Sequence, residues 1–304
     1  MSDLRNENVI AVLCADLHFR HTPPLCRATE PDWYAAMERA FEPIFLASRR
    51  HNVPIICAGD IFHRWNPPAQ LINLVLELFS DLNILAIPGQ HDLPLHNYKD
   101  MDRSAYGTLT ITGAITNLSP HAPLQCGKAM YYGFPWGFEI KPPENRIDGF
   151  IHVAVCHSYI WTDAKYANAP EHEHARKYKK KLKGYDAAVF GDNHNGFLLD
   201  KPIPLLNCGT LTRQRSDEFH YKPAYGLLYE SGAITRVFLD TDEDTISPEV
   251  SATSEATVDA GEFAKSLIAL GVGSSDYAEA VRQYIKMERP PKPVRKMLLE
   301  AIGD

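Results

Sequence analysis

The 304-residue chain has only six cysteines, Cys14, Cys26, Cys57, Cys126, Cys156 and Cys208, and no two of them make a C-x-x-C pair. That scatter excludes a zinc ribbon or a dithiol redox motif. Three of the six lie inside apolar runs (VLCAD, IICAGD, AVCHS), where a thiol behaves as a small core residue. Long apolar stretches are also missing. The start, MSDLRNENVI, does not resemble a signal peptide, so the expectation is a cytoplasmic chain with reduced thiols and no membrane segment. Nor is there an excess of positive charge: 31 Lys and Arg against 38 Asp and Glu give a net charge of -7. A basic footprint for nucleic acid over the whole surface is thereby excluded, and any contact with a polyanion must be local or carried by bound cations. A 45% hydrophobic and 23% charged composition is that of a folded globular chain, neither disordered nor collagen-like. Histidine is plentiful, with thirteen copies.

Short β-branched runs alternate with amphipathic stretches. Val9 to Ala15, Val53 to Ala58 and Ile84 to Ile87 read as strands, with helices over Trp33 to Arg50 and Ala69 to Ser80 between them, a β-α-β-α-β opening with parallel neighbours. Further strands are expected at Met130 to Gly133, Ile151 to Cys156, Ala187 to Phe190 and Ile203 to Leu206. An antiparallel hairpin, Ala224 to Tyr229 with Ile234 to Leu239, turns at Glu230-Ser231-Gly232. These features divide the chain into a first domain at 1–240, an acidic solvated linker at 241–261 that lacks Lys and Arg, and a helical tail at 262–304.

The strands end in clusters of one chemical kind: Asp16-Leu17-His18, Gly59-Asp60-Ile61-Phe62-His63, Gly89-Gln90-His91-Asp92, His157 and Gly191-Asp192-Asn193-His194. Ligands of open α/β sheets bind beyond the carboxyl ends of strands, so these residues converge there. Carboxylates, amides and imidazoles without thiolates suit Mn²⁺, Mg²⁺, Fe or Zn²⁺. A carboxylate shared by two cations would make a two-metal site suited to attack on phosphorus.

In order and spacing these clusters resemble the calcineurin-like metallophosphoesterase superfamily, whose pattern is D-x-H, G-D, G-N-H-[DE], a lone H and G-H-x-H. The resemblance spans about Val9 to Leu239. It implies a four-layer αββα sandwich of two mixed sheets, here followed by a short helical C-terminal tail. It further implies a dinuclear centre that hydrolyses phosphoesters with a metal-activated hydroxide. One metal would take Asp16, His18, Asp60 and His194; the second would take Asp60 as bridge, Gln90, His157 and Asp192. His91 is similar to the family's general acid, with Asp92 orienting its ring. The chain departs from the pattern at two positions of the second site, where Gln90 stands for Asn and Asp192 for His. Two divalent ions against Asp16, Asp60 and Asp192 leave +1 rather than +2, and the oxygen-rich site favours Mn²⁺ or Mg²⁺ over Zn²⁺.

Three segments resemble the SbcD-type DNA double-strand-break repair nucleases: Gly59 to His63, Ala86 to Gly89, and Asn207 to Gln214, whose Arg213 the resemblance implies steadies the loop. The resemblance implies a compact, phage-like DNA exo- or endonuclease, with His63 helping to position the scissile phosphodiester. It also implies a coiled-coil ABC-type ATPase partner, docked on the helices between Asp276 and Ile302, or a homodimer. Arg64, Arg213, Lys179, Lys180 and Lys181 are candidates for contact with DNA, although a basic run such as the one containing the three lysines is commonly a solvated face. Two alternatives stay open: a general nucleotide phosphodiesterase or phosphatase, and a non-catalytic scaffold whose second metal site is degenerate.

Overall fold

The computed structural model describes residues 7–162 and 174–247, together with Leu299. The chain divides into two compact units, Met1–Ser247 and Pro248–Asp304. Of the second unit only Leu299 is described, so the expected helices of the tail and the ATPase-docking arm lie outside the described residues. Among the described residues no helix is long and apolar enough to cross a membrane.

The elements of the first unit are β1 (Val9–Cys14), α1 (Trp33–His51), β2 (Ile55–Cys57), α2 (Ala69–Phe79), β3 (Ile84–Ala86), α3 (Ala105–Ile111), β4 (Thr116–Asn117), β5 (Leu124–Cys126), β6 (Ala129–Phe134), β7 (Ile151–His157), β8 (Ala187–Gly191), β9 (Phe197–Leu199), β10 (Leu205–Asn207), β11 (Ala224–Tyr229) and β12 (Ile234–Phe238). They form two six-stranded sheets, ordered β12-β11-β1-β2-β3-β4 and β5-β6-β7-β8-β10-β9. Both are mixed. β1 to β4 run parallel and the β11–β12 hairpin is antiparallel, while β6, β7, β8 and β10 run parallel between antiparallel edges β5 and β9.

Period-two alternation along the strands sorts the side chains into layers. Val12 and Cys14 of β1 and Ile55 and Cys57 of β2 face α1 and α2, where Phe41, Ile44, Leu71, Val75 and Phe79 close the outer core. Their neighbours Ala11, Leu13, Ile56 and Ala58 face the second sheet and meet Ala129, Tyr131, Val153, Val155 and Val189. Small residues at several of these inner positions let the two sheets approach closely. Among the described residues the far face of the second sheet is covered by Ile160, just after β7, and by Tyr178, Leu182 and Tyr185, carried on a 3-10 segment (Ala175–Lys180) and the turn after it. α1 begins at Asp32, which accepts from the Ala35 amide, and ends at Asn52 in a left-handed conformation, which fixes both helix ends.

One boundary differs from the sequence reading. Residues 241–247, expected at the start of a solvated linker, belong to the first unit. The Asp244 carboxylate accepts from Arg27, Arg39 and Arg213, and the Thr245 and Ser247 amides donate to Glu30 and the Cys26 carbonyl. The arginines that bind this acidic segment lie far away in sequence, so composition alone could not place it.

Candidate metal centre

The parallel strands deliver their C-terminal loops to one edge, and the backbone there is unusual. Asp16, His18, Asp60 and Asp192 all have positive φ, at 50°, 45°, 54° and 88°. Non-glycine residues seldom adopt this conformation, and such strain concentrates at functional sites. Two glycines allow the approach: a Cβ at Gly89 would overlap the Asp60 carboxylate, and one at Gly59, which itself sits at φ +98°, would overlap the His157 ring.

Among the described residues three groups of candidate ligand atoms converge to within 4.8 Å of one another: Asp16, His18 and His194; Asp16, Asp60 and His157; and His18, His63 and His91. Asp60 Oδ2 lies between two imidazoles, 3.4 Å from His157 Nε2 and 3.7 Å from His18 Nε2. Its other oxygen accepts from the His91 amide at 2.9 Å. The Nε2 atoms of His18 and His194 face each other at 3.0 Å. Gln90 and Asp192, the two departures from the family pattern, bond to each other, Nε2 to Oδ1, at 2.8 Å. The Asp192 amide donates to the Asp16 carboxylate.

The imidazole tautomers follow from their partners. A carbonyl can only accept, so His157 Nδ1 donates to the Ala58 carbonyl at 2.6 Å and His91 Nδ1 to the His63 carbonyl at 3.0 Å. His194 Nδ1 faces a Glu218 carboxylate oxygen at 3.2 Å. In the neutral form of each ring Nε2 then presents a lone pair, the form in which histidine binds a cation. His157 Nε2 and Gln90 Oε1 are buried without a hydrogen-bond partner. Burying such acceptors costs free energy unless something compensates them. These orphaned acceptors, beside carboxylates, fit divalent cations held by Asp16, His18, Asp60, Gln90, His157, Asp192 and His194.

By its own side chains the cluster is electrostatically divided. Burial lifts the Asp16 carboxyl to about 7 against the pull of His157 and His194. Burial also pushes Asp60 upward, yet His157 and His18 outweigh it and hold the carboxyl below its ordinary range. Burial lowers His18, whereas in His157 the attraction of Asp60 and the other carboxylates overcomes burial and raises the pKa. Competing carboxylates and imidazoles in one dry site form a set that a cation binds by displacing protons.

The structure corrects two roles. Asp92 does not orient His91: its oxygens accept from the Phe62, Ile61 and Gly89 amides, closing the strand-end loops, and the His63 carbonyl orients the ring instead. Arg213 is buried rather than turned toward a substrate. Its guanidinium donates to the Phe219 and Thr241 carbonyls and to Asp244, and this bracing holds the loop that carries Glu218. Arg64 is exposed. Lys181 places its ammonium 4.9 Å from the Tyr178 ring centroid, and the side chains of Lys179 and Lys180 lie outside the described residues. Two residues carried no motif signal. Glu218 holds His194 from another loop, and Arg20 stands beside His63 because a parallel bridge pairs Phe19 with Phe62.

The catalogue of curated proteins holds no match to this chain. Among solved structures, the calcineurin-like phosphoesterase YfkN from Bacillus subtilis aligns at 12% identity over 76% of this chain and 89% of its own, with a TM-score of 0.40. The 5'-nucleotidase from Candida albicans SC5314 aligns at 13% identity over 79% of this chain and 53% of its own, with a TM-score of 0.46. The model of the calcineurin-like phosphoesterase family matches residues 11–196, more than half of the sequence, and the chain belongs to that family.

Proposed function

We propose that the chain is a metal-dependent DNA nuclease of the SbcD-like branch that hydrolyses phosphodiester bonds in repair, recombination or degradation. The observation that carries this reading is a cationic track leading away from the metal centre. The His91 and His63 rings stack at 5.4 Å and 16°, and the His18 ring lies 5.0 Å from His91. Beyond His63 come Arg20 and Arg64, close enough that each lowers the pKa of His63, which burial in the first place brings to about 4. Among the described residues neither guanidinium has a carboxylate within ion-pair distance. Two like charges kept together without a counterion suit a substrate with phosphates beyond the scissile one, as in a polynucleotide.

Bound divalent cations, with Mn²⁺ favoured by the carboxylate-rich donor set, would supply Lewis-acid charge and a nucleophilic water. Asp60 fixes the His91 backbone and the His63 carbonyl holds its Nδ1–H, so that the doubly protonated ring would carry its second proton on Nε2 and could pass it to the leaving oxygen. Arg20 is steadied by Gln214, which donates in turn to the His18 carbonyl, tying the track to the ligand loop.

The test is Mn²⁺-dependent release of nucleotides from linear single- and double-stranded DNA, run beside small aryl phosphate monoesters, with Asp60→Ala as control and melting curves to show that it folds. Cleavage of DNA that is lost in the variant supports the reading. Rapid turnover of the aryl monoester without DNA cleavage would overturn it.

A further inference from the structure

A second exposed group adjoins the same loop and is not used by the chemistry above. Trp136 lies two residues past the end of β6, whose Phe134 pairs with Cys156 of β7, so it sits on the edge that delivers His157. Its amide donates to the Pro88 carbonyl at 3.4 Å. The His96 ring donates from Nδ1 to the Gln90 carbonyl at 3.0 Å, and its centroid is 5.5 Å from that of Trp136. The Trp136 backbone and the His96 ring thus both bond to the Pro88 to Gln90 backbone, which leads into His91, and the two rings meet at a tilt of 46°. The loop is anchored behind by Phe138, which packs edge-on against Tyr98 at 5.0 Å. Trp136 nevertheless remains 38% exposed.

The neighbouring backbone is strained in the same place. Leu95 and His96 both have positive φ, 49° and 58°, and Leu95 is 91% exposed. A leucine in the left-handed region whose side chain is almost fully solvated is not held there by packing. Strain of this kind marks segments shaped for a ligand.

We propose that the exposed face of Trp136, with the His96 ring propped against the indole, is a stacking platform for an unpaired nucleobase flanking the scissile phosphodiester, so that the site takes single-stranded DNA ends. This inference rests on the nuclease reading. A base is the occupant that continuity with a phosphodiester site requires: the phosphate lies over the metal centre, the guanidinium track takes the neighbouring phosphates, and the attached base needs an apolar face. In a duplex both faces of a base are already stacked on its neighbours, so a single exposed indole face selects an unpaired one. Aromatic stacking of this kind tolerates any sequence.

The experiment compares a single-stranded oligonucleotide with one carrying an abasic tetrahydrofuran residue at the cleavage position, using the Mn²⁺-loaded full chain. The wild type is expected to prefer the intact strand by about tenfold to a hundredfold in kcat/KM, the range of one stacked base. Trp136→Ala should collapse that ratio toward one, and Trp136→Phe should restore most of it. A 2-aminopurine at the same position should be quenched on binding by the wild type and not by Trp136→Ala. An unchanged ratio in Trp136→Ala, or equal loss on both strands, overturns the platform while leaving the nuclease reading intact. Failure of the wild type to cut either strand overturns the nuclease reading itself.

Discussion

Gln90 donates from Nε2 to Asp192 Oδ1 across 2.8 Å, so the two side chains that depart from the family pattern touch each other. The extra methylene of Gln90 and the carboxylate at 192 are therefore one change rather than two. The bond leaves Gln90 Oε1 buried and free to bind a cation. Gln90→Asn and Asp192→His should each weaken Mn²⁺ binding by about 10- to 100-fold, the usual cost of removing a ligand's support. The double variant should recover much of the loss and shift its preference toward Zn²⁺. Calorimetric titration with both metals measures this, and simple additivity in the double variant would show the positions to be independent.

His194 is held by Glu218, which also accepts from the Gln214 and Arg215 amides. Glu218→Gln keeps the shape and some of the backbone bonds but removes the charge behind the ring. Mn²⁺ affinity should fall by about tenfold or more with little change in melting temperature. Glu218→Ala should lose stability as well, because it strips both amides of their buried acceptor.

Gly59 and Gly149 both have positive φ, 98° and 84°, but a Cβ at 59 would overlap the His157 ring whereas one at 149 meets nothing within 4 Å. Gly149→Ala should cost about 1 kcal/mol from backbone strain alone. Gly59→Ala should cost more, by about 1–3 kcal/mol of overpacking, and should impair metal binding. Thermal unfolding of the two variants separates backbone strain from the collision.

Arg213 and Arg64 should part company in DNA binding. Arg64→Gln should reduce the slope of log K against log salt by about one, as expected for a lost phosphate contact. Arg213→Gln should leave the slope unchanged and lower stability. Arg27, fully buried and bonded to Glu30 and Asp244, belongs to the same bracing network, and Arg27→Met should destabilise the first unit by about 1–3 kcal/mol, because Glu30 and Asp244 lose their shortest bonds but keep Arg39 and Arg213 as partners. Equilibrium denaturation checks both.

The core strands of both sheets were legible because they are continuous apolar, β-branched runs, buried on both faces, whose ends carry Gly, Asp and His. Val9–Cys14, Ile151–His157 and the β11–β12 hairpin fall within a residue or two of their expected limits. The two- and three-residue edge strands β4, β5 and β9 were not anticipated, because such short segments show too little periodicity. α3 was missed as well, for its Ala-Tyr-Gly-Thr sequence is a weak helix former, and its start is fixed by the Ser104 side chain.

By itself the sequence determined the succession of strands and helices along the chain and the chemistry at each strand end, since apolar runs and ligand type are local properties. Only the tertiary structure decided which partner holds which ring. The His63 carbonyl rather than Asp92 sets His91, Glu218 sets His194, and Arg213 turns inward to Asp244. These choices depend on where backbone carbonyls and charges from distant segments come to lie once two sheets have packed face to face, and no local pattern encodes that.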